Sequence, residues 1–287
     1  MAEDRSPAQI RRVLTARGEA EVALAALATQ PDESIEVAEA ALLLSVLGGR
    51  AVDLVPYRRH LSDVAAKVGD AGAASLGDRV EALNEVILGA FGYHGDTQTY
   101  DDLDNADLAR VIDRRKGLPV ALGILYLHAA KAQGWSAAGL GFPGHFLIRI
   151  DHDGAAAVVD PFHDGRVLDA AGLRALLKAT SGIEAELDPA HWHPVTNRDV
   201  LVRLQSNIKV RCAQLGDDAR ALQAVEAMLL FAPDMPHLWR DAGDFNAKLG
   251  NLSAAVRSLE TYVARSGTGP AREEAERLLS RIRRRLN

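Results

Sequence analysis

The chain has 287 residues, 48% of them hydrophobic, and a formal net charge of -6 at pH 7. This length and apolar content suffice for one large domain or two of ordinary size, and they do not fit a chain that is disordered throughout. Charges of both signs are mixed along the chain, so nucleic acid is not an expected partner. The single cysteine excludes an internal disulfide and a multi-cysteine metal site.

From the sequence we expect neither a membrane-spanning segment nor an N-terminal signal peptide. No apolar run approaches the ~20 residues that a membrane-spanning helix needs, and residues 1–6 lack the charged-then-apolar pattern of a signal peptide. The basic run at residues 281–285 fits a last helical turn that complements the helix dipole better than it fits a polyanion site. We expect a cytoplasmic protein with no membrane partner, and the sequence leaves its oligomeric state open.

The first third of the chain reads as helical. Apolar residues recur at helical spacing in four segments, at residues 7–30, 35–47, 55–68 and 74–91. An acidic run follows at residues 101–107 and could suggest a calcium loop. The glycine and the final glutamate of an EF-hand are absent from their required positions, so we interpret the run as the N-cap of a helix that ends near Arg115.

The next predicted element is a helix that begins at Pro119. Residues 120–130 are almost wholly apolar, with Tyr126 and His128 as the main exceptions, which indicates a helix buried inside a domain. Proline suits the first turn because an amide there has no helical partner.

Two short strands are predicted after this helix. Apolar residues alternate at positions 146, 148 and 150, and a second strand covers residues 155–159. If the turn consists of residues 151–154, Ile150 lies opposite Ala155 and the ladder brings His145 opposite Asp160. The carboxylate then holds the imidazole in one orientation, as a general base requires. A lone histidine in a strand is more often structural, but the neighbouring glycines and the aspartate partner favour a site.

Two other histidines stand at alternate positions, on either side of Trp192. His191 and His193 could hold a metal ion, yet no third ligand is evident nearby, so we interpret the segment as a loop. We predict no metal site and no cofactor.

The last part of the chain repeats itself at a shift of 34 residues. Residues 215–217 (LGD) align with residues 249–251 (LGN), and Pro236 aligns with Pro270. A repeat of this length, with a glycine-containing turn between two helices and a proline, is typical of tetratricopeptide units. Fewer than three such units rarely stand alone, so we expect them to pack on neighbouring helices. Cys212 lies on an apolar helical face and reads as a buried small hydrophobe.

Several motifs together resemble the SirB1 family of transglutaminase-like proteins. They are LN at 83–84, FGYHG at 91–95, VIDRRKGLP at 111–119, GFPGHF at 141–146, DPF at 160–162 and LQSNIK at 204–209. The resemblance covers nearly all of the chain after about residue 35. It implies a bacterial protein with a transglutaminase-like domain and C-terminal tetratricopeptide repeats.

The resemblance also implies an active-site arrangement that this chain lacks in one part. Active transglutaminase-like enzymes place a cysteine at the start of the central helix, a histidine on a strand and an aspartate on the next strand. The last two roles fall to His145 and Asp160, but the cysteine position falls at Pro119 or Ala121. No Cys, Ser or Thr occurs between Gly117 and Trp135, so thiol acyl transfer is not expected.

The sequence therefore predicts an α+β fold with a mostly helical N-terminal part, a buried central helix on a small antiparallel sheet, and an all-α tetratricopeptide-like unit. We expect an N-terminal extension at 1–34, a transglutaminase-like domain at 35–195 and the repeat unit at 196–287. The expected site combines the retained His145 and Asp160 with a cleft lined by Tyr93, Arg115, Pro119, Ala121 and Gly144.

Three functions fit this pattern. The first is a non-catalytic, regulatory pseudoenzyme that binds a protein or peptide partner through the cleft and the repeat unit. The alternative is a hydrolase of amide, ester or isopeptide bonds that uses the His145–Asp160 pair without a cysteine. In a third interpretation the pair only holds the strands together. Whether the protein is an enzyme stays open, with the missing nucleophile favouring a non-enzyme.

Overall fold

The computed structural model of the protein describes residues 7–49 and 53–286. Residues 1–6, on which the prediction of no signal peptide rests, lie outside the described residues. The chain forms two compact units, the first built around Pro31–Leu204 and the second from Arg17–Gln30 and the residues from Gln205 onward. The predicted domain boundaries after residues 34 and 195 stay predictions.

The first part of the chain is helical. The described helices before the site are α1 (Pro7–Ala26), α2 (Val37–Leu47), α3 (Val55–Asp70) and α4 (Leu76–Asn84). Helix α4 starts at a capping box in which Ser75 and Asp78 satisfy each other's backbone amides, and it continues as a wider π-helical turn over Glu85–Ala90. The four helical segments expected from apolar periodicity are confirmed.

The segment before the central helix is tied together by a short parallel pair. Strand β1 (His94–Gly95) pairs with β2 (Lys116–Gly117), and helix α5 (Leu108–Arg114) lies between them in the chain. The Asp107 side chain accepts a hydrogen bond from the Arg110 amide at 3.3 Å and so caps α5. The interpretation of the acidic run as an N-cap cluster is confirmed.

Helix α6 (Pro119–Ala132) is the buried central helix, with nearly every side chain inaccessible. Pro119 occupies its first turn, as predicted. Gly123 of this helix faces the Phe146 ring so closely that an added Cβ would lie 2.5 Å from a ring carbon. The absence of a side chain at Gly123 therefore sets how near the histidine-bearing loop approaches the helix.

An antiparallel sheet packs on α6. Its strands, in spatial order, are β3 (Ser136–Leu140), β4 (Leu147–His152), β5 (Ala155–Asp160) and β6 (Arg166–Val167). Strand β3 was not expected from the sequence. It has a close contact of its own with the Phe146 ring, because a Cβ at Gly139 would lie 2.6 Å from that ring.

The predicted register of β4 against β5 is wrong by two residues. Ile150 lies opposite Ala157 rather than Ala155, because the turn consists of Asp153 and Gly154 alone. Both turn residues have left-handed backbone angles, with φ of 49° and 78°, as a two-residue hairpin turn requires. A slip of two positions leaves every side chain on its predicted face of the sheet, since the side-chain period of a strand is two.

The remaining helix of the first unit is α7 (Ala170–Ser181), and α8 (Asn197–Gln214) runs from the first unit into the second. The second unit continues with α9 (Asp218–Phe231), α10 (Pro236–Lys248), α11 (Leu252–Arg265) and α12 (Pro270–Leu286). Gly216 and Gly250 occupy equivalent turns with φ of 75° and 79°, which matches the 34-residue repeat. Cys212 is 1% exposed, as expected of a packed hydrophobe.

None of the helices in the described part of the chain combines the length and apolar character that a membrane span needs.

Candidate functional site

The Asp160 carboxylate is the centre of the candidate site. It is fully buried at the end of β5. Its Oδ1 atom lies 2.8 Å from His145 Nε2, and its Oδ2 atom lies 2.7 Å from Nδ1 of His163. Arg166 Nη2 is 3.3 Å from Oδ2, while the backbone amides of Phe162 and His163 donate to Oδ1 at 3.1 and 3.3 Å. We call His145, Asp160, His163 and Arg166 the Asp160 cluster.

The local sequence explains why these groups converge on one carboxylate. An aspartate at the end of a strand can accept hydrogen bonds from the amides two and three residues later, which turns the chain back on itself. The turn at residues 161–165 brings His163 over Asp160, and β6 then places Arg166 directly across from Asp160 in the ladder. Gly165 has φ of 63°, which favours glycine at this position.

A hydrogen-bonded relay ties this turn to two helices. The Tyr126 hydroxyl of α6 donates to Asn84 Oδ1 at 2.9 Å, and Asn84 Nδ2 donates to the Gly165 carbonyl at 2.9 Å. A Cβ at Gly165 would lie 2.0 Å from Asn84 Oδ1. The turn that carries His163 is therefore positioned by α4 and α6 as well as by its own aspartate.

The environment of Asp160 keeps it ionised. Burial on its own raises the pKa of this carboxyl, but the hydrogen bonds and charge of His145, followed by those of His163, outweigh burial and lower the pKa to about 2. At neutral pH the site therefore contains a buried carboxylate anion with an imidazole on each of its oxygens.

His145 lies in the loop just before β4 rather than within the strand. Its side chain is 7% exposed, its ring stacks on that of His163 with centroids 5.4 Å apart, and the Phe162 ring meets it edge-on. Arg203 of α8 holds the backbone of this loop. Its Nη2 atom donates to the carbonyl of His145 at 2.6 Å and to that of Phe142 at 3.1 Å. The imidazole and its backbone are thus both held in place.

The predicted cleft residue Gly144 immediately precedes His145. Its φ is 68°, and an added Cβ would lie 2.8 Å from Cβ of Thr180 in α7. The Thr180 hydroxyl donates to the Pro143 carbonyl at 3.1 Å. Gly144 therefore permits the bend that presents His145 and leaves no room for a side chain.

The two predicted nucleophile positions are at the start of α6. Pro119 and Ala121 are both buried, and neither side chain carries an atom that can attack a carbonyl. The one cysteine of the chain, Cys212, belongs to the second unit.

The predicted cleft residues Tyr93 and Arg115 lie in a different group of contacts. Nη1 of Arg115 is 2.5 Å from the Tyr93 hydroxyl and 2.6 Å from His60 Nε2. Burial, and next the charge of Arg115, lower the pKa of His60 to about 4, while burial raises the pKa of Tyr93 to about 12. We call these three residues the Arg115 cluster, and within the described residues no hydrogen bond or ion pair joins it to the Asp160 cluster.

Sequence reasoning missed His163, Arg166 and Arg203. His163 stands three residues after Asp160, so the signal was a second histidine in the turn that follows the site strand. His145, Asp160 and His163 each offer one ligand atom within 4.8 Å of the others, and they are the one such group of at least three among the residues that the structure describes. His191 is not part of it, and its Nδ1 atom accepts a hydrogen bond from the Asp188 amide.

Comparison with known proteins places the chain in a family. The family model of the transglutaminase-like superfamily matches residues 56–206, which contain the sheet, α6 and the Asp160 cluster. The chain belongs to the transglutaminase-like superfamily. A tetratricopeptide repeat model matches residues 208–283, which confirms the expected architecture of an α+β core followed by repeat helices.

The similar bacterial proteins extend over most of the chain. A UPF0162 protein of Xylella fastidiosa is 31% identical over 244 residues, which cover 83% of this chain and 86% of that protein. A UPF0162 protein of Vibrio cholerae is 30% identical over 68% of this chain and 72% of its own length. The protein SirB1 of Salmonella typhimurium is 27% identical over 69% of this chain and 74% of its own length. The resemblance to SirB1 proteins is confirmed.

Proposed function

We propose that this protein is a non-catalytic member of the transglutaminase-like superfamily that binds a protein or peptide partner and acts as a regulatory module. The observation that carries the proposal is an oriented His145–Asp160 pair, with 2.8 Å between His145 Nε2 and Asp160 Oδ1, in a chain whose α6 begins without a nucleophile. The resemblance to transglutaminase-like enzymes assigns the nucleophile position to Pro119 or Ala121. A covalent mechanism needs the nucleophile within hydrogen-bond reach of its base, about 3 Å. This chain has the histidine and the aspartate of such a mechanism, His145 and Asp160, without the nucleophile.

The one cysteine is poorly suited to fill this role. Cys212 is 1% exposed, and burial raises the pKa of its thiol. A thiol with a raised pKa forms little thiolate at neutral pH, and the thiolate is the reactive species. This supports a role in recognition rather than acyl transfer.

The second unit offers a surface suited to a polar peptide. A cavity of about 610 Å³ is lined by residues of α8, α10 and α12, which are Lys209, Asp241, Asp244, Phe245, Ala247, Lys248, Glu274, Leu278, Arg281, Ile282 and Arg285. Charges of both signs surround the apolar atoms of this cavity, and Lys209 pairs with Asp241 at 2.5 Å. Stacked helical repeats use extended surfaces of this kind for protein contacts.

Capture of partners tests this proposal. Immobilised wild-type protein and its variants are exposed to an extract of the source organism, and the bound proteins are quantified by mass spectrometry. We expect a partner that wild type enriches and that His145→Ala or Arg281→Glu loses by roughly tenfold, as for an interface residue worth about 1.4 kcal/mol. His193→Ala and Arg277→Glu are the matched controls, since both positions are exposed and lie outside the two surfaces.

Two results would overturn the proposal. In the first, no enriched protein depends on either surface while all variants keep the wild-type melting temperature. In the second, the protein hydrolyses a substrate and His145→Ala abolishes the turnover.

The geometry of the pair favours one second candidate, a hydrolase without a cysteine. Asp160 is ionised and 2.8 Å from His145, so the imidazole can accept a proton from a water molecule as its oxygen attacks a carbonyl carbon. Such an enzyme hydrolyses amides, esters or isopeptides at a rate that thiol alkylation leaves unchanged and His145→Ala removes. Absence of turnover across a panel of these three substrate classes eliminates it.

A further inference from the structure

We propose that His145, Asp160 and His163 form a binding site for a divalent transition-metal cation, with Zn²⁺ as the reference ion. The site goes beyond the proposed function and does not depend on it. Two imidazole nitrogens and one carboxylate are a donor set that suits zinc and neighbouring first-row metals.

The distances within the group suit one small ion. Zinc binds histidine nitrogen at about 2.0–2.1 Å and carboxylate oxygen at about 2.0–2.2 Å, so two ligand atoms on one tetrahedral ion are separated by about 3.4 Å. The nitrogens of His145 and His163 that face the carboxylate are 2.8 and 2.7 Å from its oxygens, and the three ligand atoms lie within 4.8 Å of one another. Each of these nitrogen–oxygen distances needs to lengthen by about 0.6–0.7 Å to reach the ligand spacing of a tetrahedral zinc ion.

The two imidazoles are arranged to share one ion. Their rings stack with an interplanar angle of 26°, and they present Nε2 of His145 and Nδ1 of His163 to the same carboxylate. A neutral imidazole can carry its proton on either ring nitrogen. When a metal binds, the proton that now lies between ring and carboxylate moves to the other nitrogen or to solvent, and the freed lone pair becomes the ligand.

Neighbouring backbone amides orient the Asp160 carboxylate, and one of the two imidazoles is open to solvent. The backbone amides of Phe162 and His163 donate to Asp160 Oδ1, so the carboxylate keeps its orientation when its imidazole contacts change. His145 and Asp160 are buried, whereas the His163 side chain is 41% exposed and gives an ion a route from solvent.

Arg166 is the group that competes with the metal. Its Nη2 atom is 3.3 Å from Asp160 Oδ2 and places a positive charge where the ion would approach. The Arg166 side chain is 50% exposed and can turn into solvent. A metal ion must displace the Arg166 side chain from Asp160, and this cost lowers the affinity of the site for the ion. Removal of the Arg166 charge should therefore strengthen metal binding.

Three protein ligands leave at least one coordination position on a tetrahedral ion. That position suits an oxygen donor such as a carboxylate or carbonyl group of a peptide. A metal here would therefore add a specific recognition element to the Asp160 cluster.

Titration of the metal-free, untagged full-length protein with Zn²⁺ in a calorimeter tests the site. We expect one ion per chain for wild type, at least a hundredfold weaker binding for His163→Ala, and roughly tenfold tighter binding for Arg166→Gln. His193→Ala is the control histidine, being exposed and outside the group, and it should bind as wild type does. Melting temperatures measured without metal show that the variants are folded.

The result that would overturn the site is wild-type protein that binds no Zn²⁺ at one ion per chain, or a folded His163→Ala variant that binds as tightly as wild type. Loss of binding in His193→Ala would place the metal elsewhere and would also overturn it. Co²⁺ serves as a spectroscopic second probe, because its visible absorption should appear in wild type and disappear in His163→Ala.

Discussion

The first unit contains two histidine-containing clusters whose central charges are opposite, a carboxylate in one and a guanidinium in the other. In the Asp160 cluster a buried carboxylate lies between the imidazoles of His145 and His163. In the Arg115 cluster a guanidinium lies against His60, and burial together with that charge lowers the pKa of His60 to about 4. The same side-chain type therefore faces a buried carboxylate in one cluster and a guanidinium in the other.

Residues that the sequence motifs group together make two separate sets of side-chain contacts, and their common cleft stays a prediction. The sequence placed Arg115 and Tyr93 in one cleft with His145 and Asp160. The structure shows Arg115 donating to Tyr93 and lying 4.9 Å from its ring, so that its charge is committed to a structural contact. We infer that the Asp160 cluster is the site and that the Arg115 cluster stabilises the segment leading into α6.

The largest expected effect comes from Asp160→Ala. This change removes a buried anion that holds two imidazoles and Arg166, and we expect the free energy of unfolding at pH 7 to fall by about 4 kcal/mol. Urea denaturation measures it. Asp153→Asn is the control, since the Asp153 side chain is 87% exposed, and it should leave stability within about 0.5 kcal/mol of wild type.

Because of Asp160, the free energy of unfolding should decrease as the pH becomes acidic. Its pKa is lowered to about 2 in the folded protein, against about 3.9 for an unfolded aspartate. The resulting stabilisation, about 2–3 kcal/mol, is complete above pH ~5 and is lost as the pH falls through the folded pKa of about 2. The stability difference between wild type and Asp160→Asn should therefore narrow over this range. A difference that stays constant down to pH 2 would contradict the assigned charge state.

Gly165→Ala should destabilise the protein less than Asp160→Ala does. Its Cβ would collide with Asn84 and its backbone is left-handed, so we expect a loss of about 3 kcal/mol by urea denaturation. Gly92→Ala is the matched control in the segment that leads to Tyr93. Gly92 has φ of 70° but open space around its Cβ position, so only backbone strain of about 1 kcal/mol is expected. Equal losses would mean that the Asn84 relay does not position the turn.

The smallest effect should appear at His60 as a dependence on pH. Because the folded pKa is lowered below the unfolded value of ~6.5, the neutral imidazole contributes stability that is present above pH 6.5 and lost as the pH falls to about 4. His60→Gln removes this titration. Between pH 6.5 and about 4 the free energy of unfolding of wild type should therefore fall by about 1–2 kcal/mol more than that of the variant, a figure that allows for solvent screening. Arg115→Gln should give an intermediate slope.

Much of the architecture could be predicted from periodicity, because α6 is apolar on all sides and the repeat helices recur at a fixed spacing. Strand β3 escaped prediction because SAAGL at residues 136–140 has little β propensity, and the strand depends on the tertiary contact between Gly139 and Phe146. The predicted register is wrong because it rests on a four-residue turn at residues 151–154, whereas Asp153 and Gly154 alone form the hairpin turn.

The candidate site could be predicted in part from the alternation of side chains along the strands. The contact of His145 with Asp160 survives a two-residue slip, since the slip preserves the face of the sheet, while the roles of both residues stay predictions. His163 could not be placed from spacing alone. Its position depends on the turn after β5, which is set by Asp160, Gly165 and the relay through Asn84.

We propose that this protein recognises its partner without making or breaking a covalent bond, and the intact mass of a captured partner distinguishes the two cases. A protein that wild type enriches and His145→Ala does not is purified, incubated with wild-type protein with and without Zn²⁺, and weighed by mass spectrometry. Our account predicts an unchanged mass and a complex that persists. A mass change that appears with wild type and is absent with His145→Ala would contradict it.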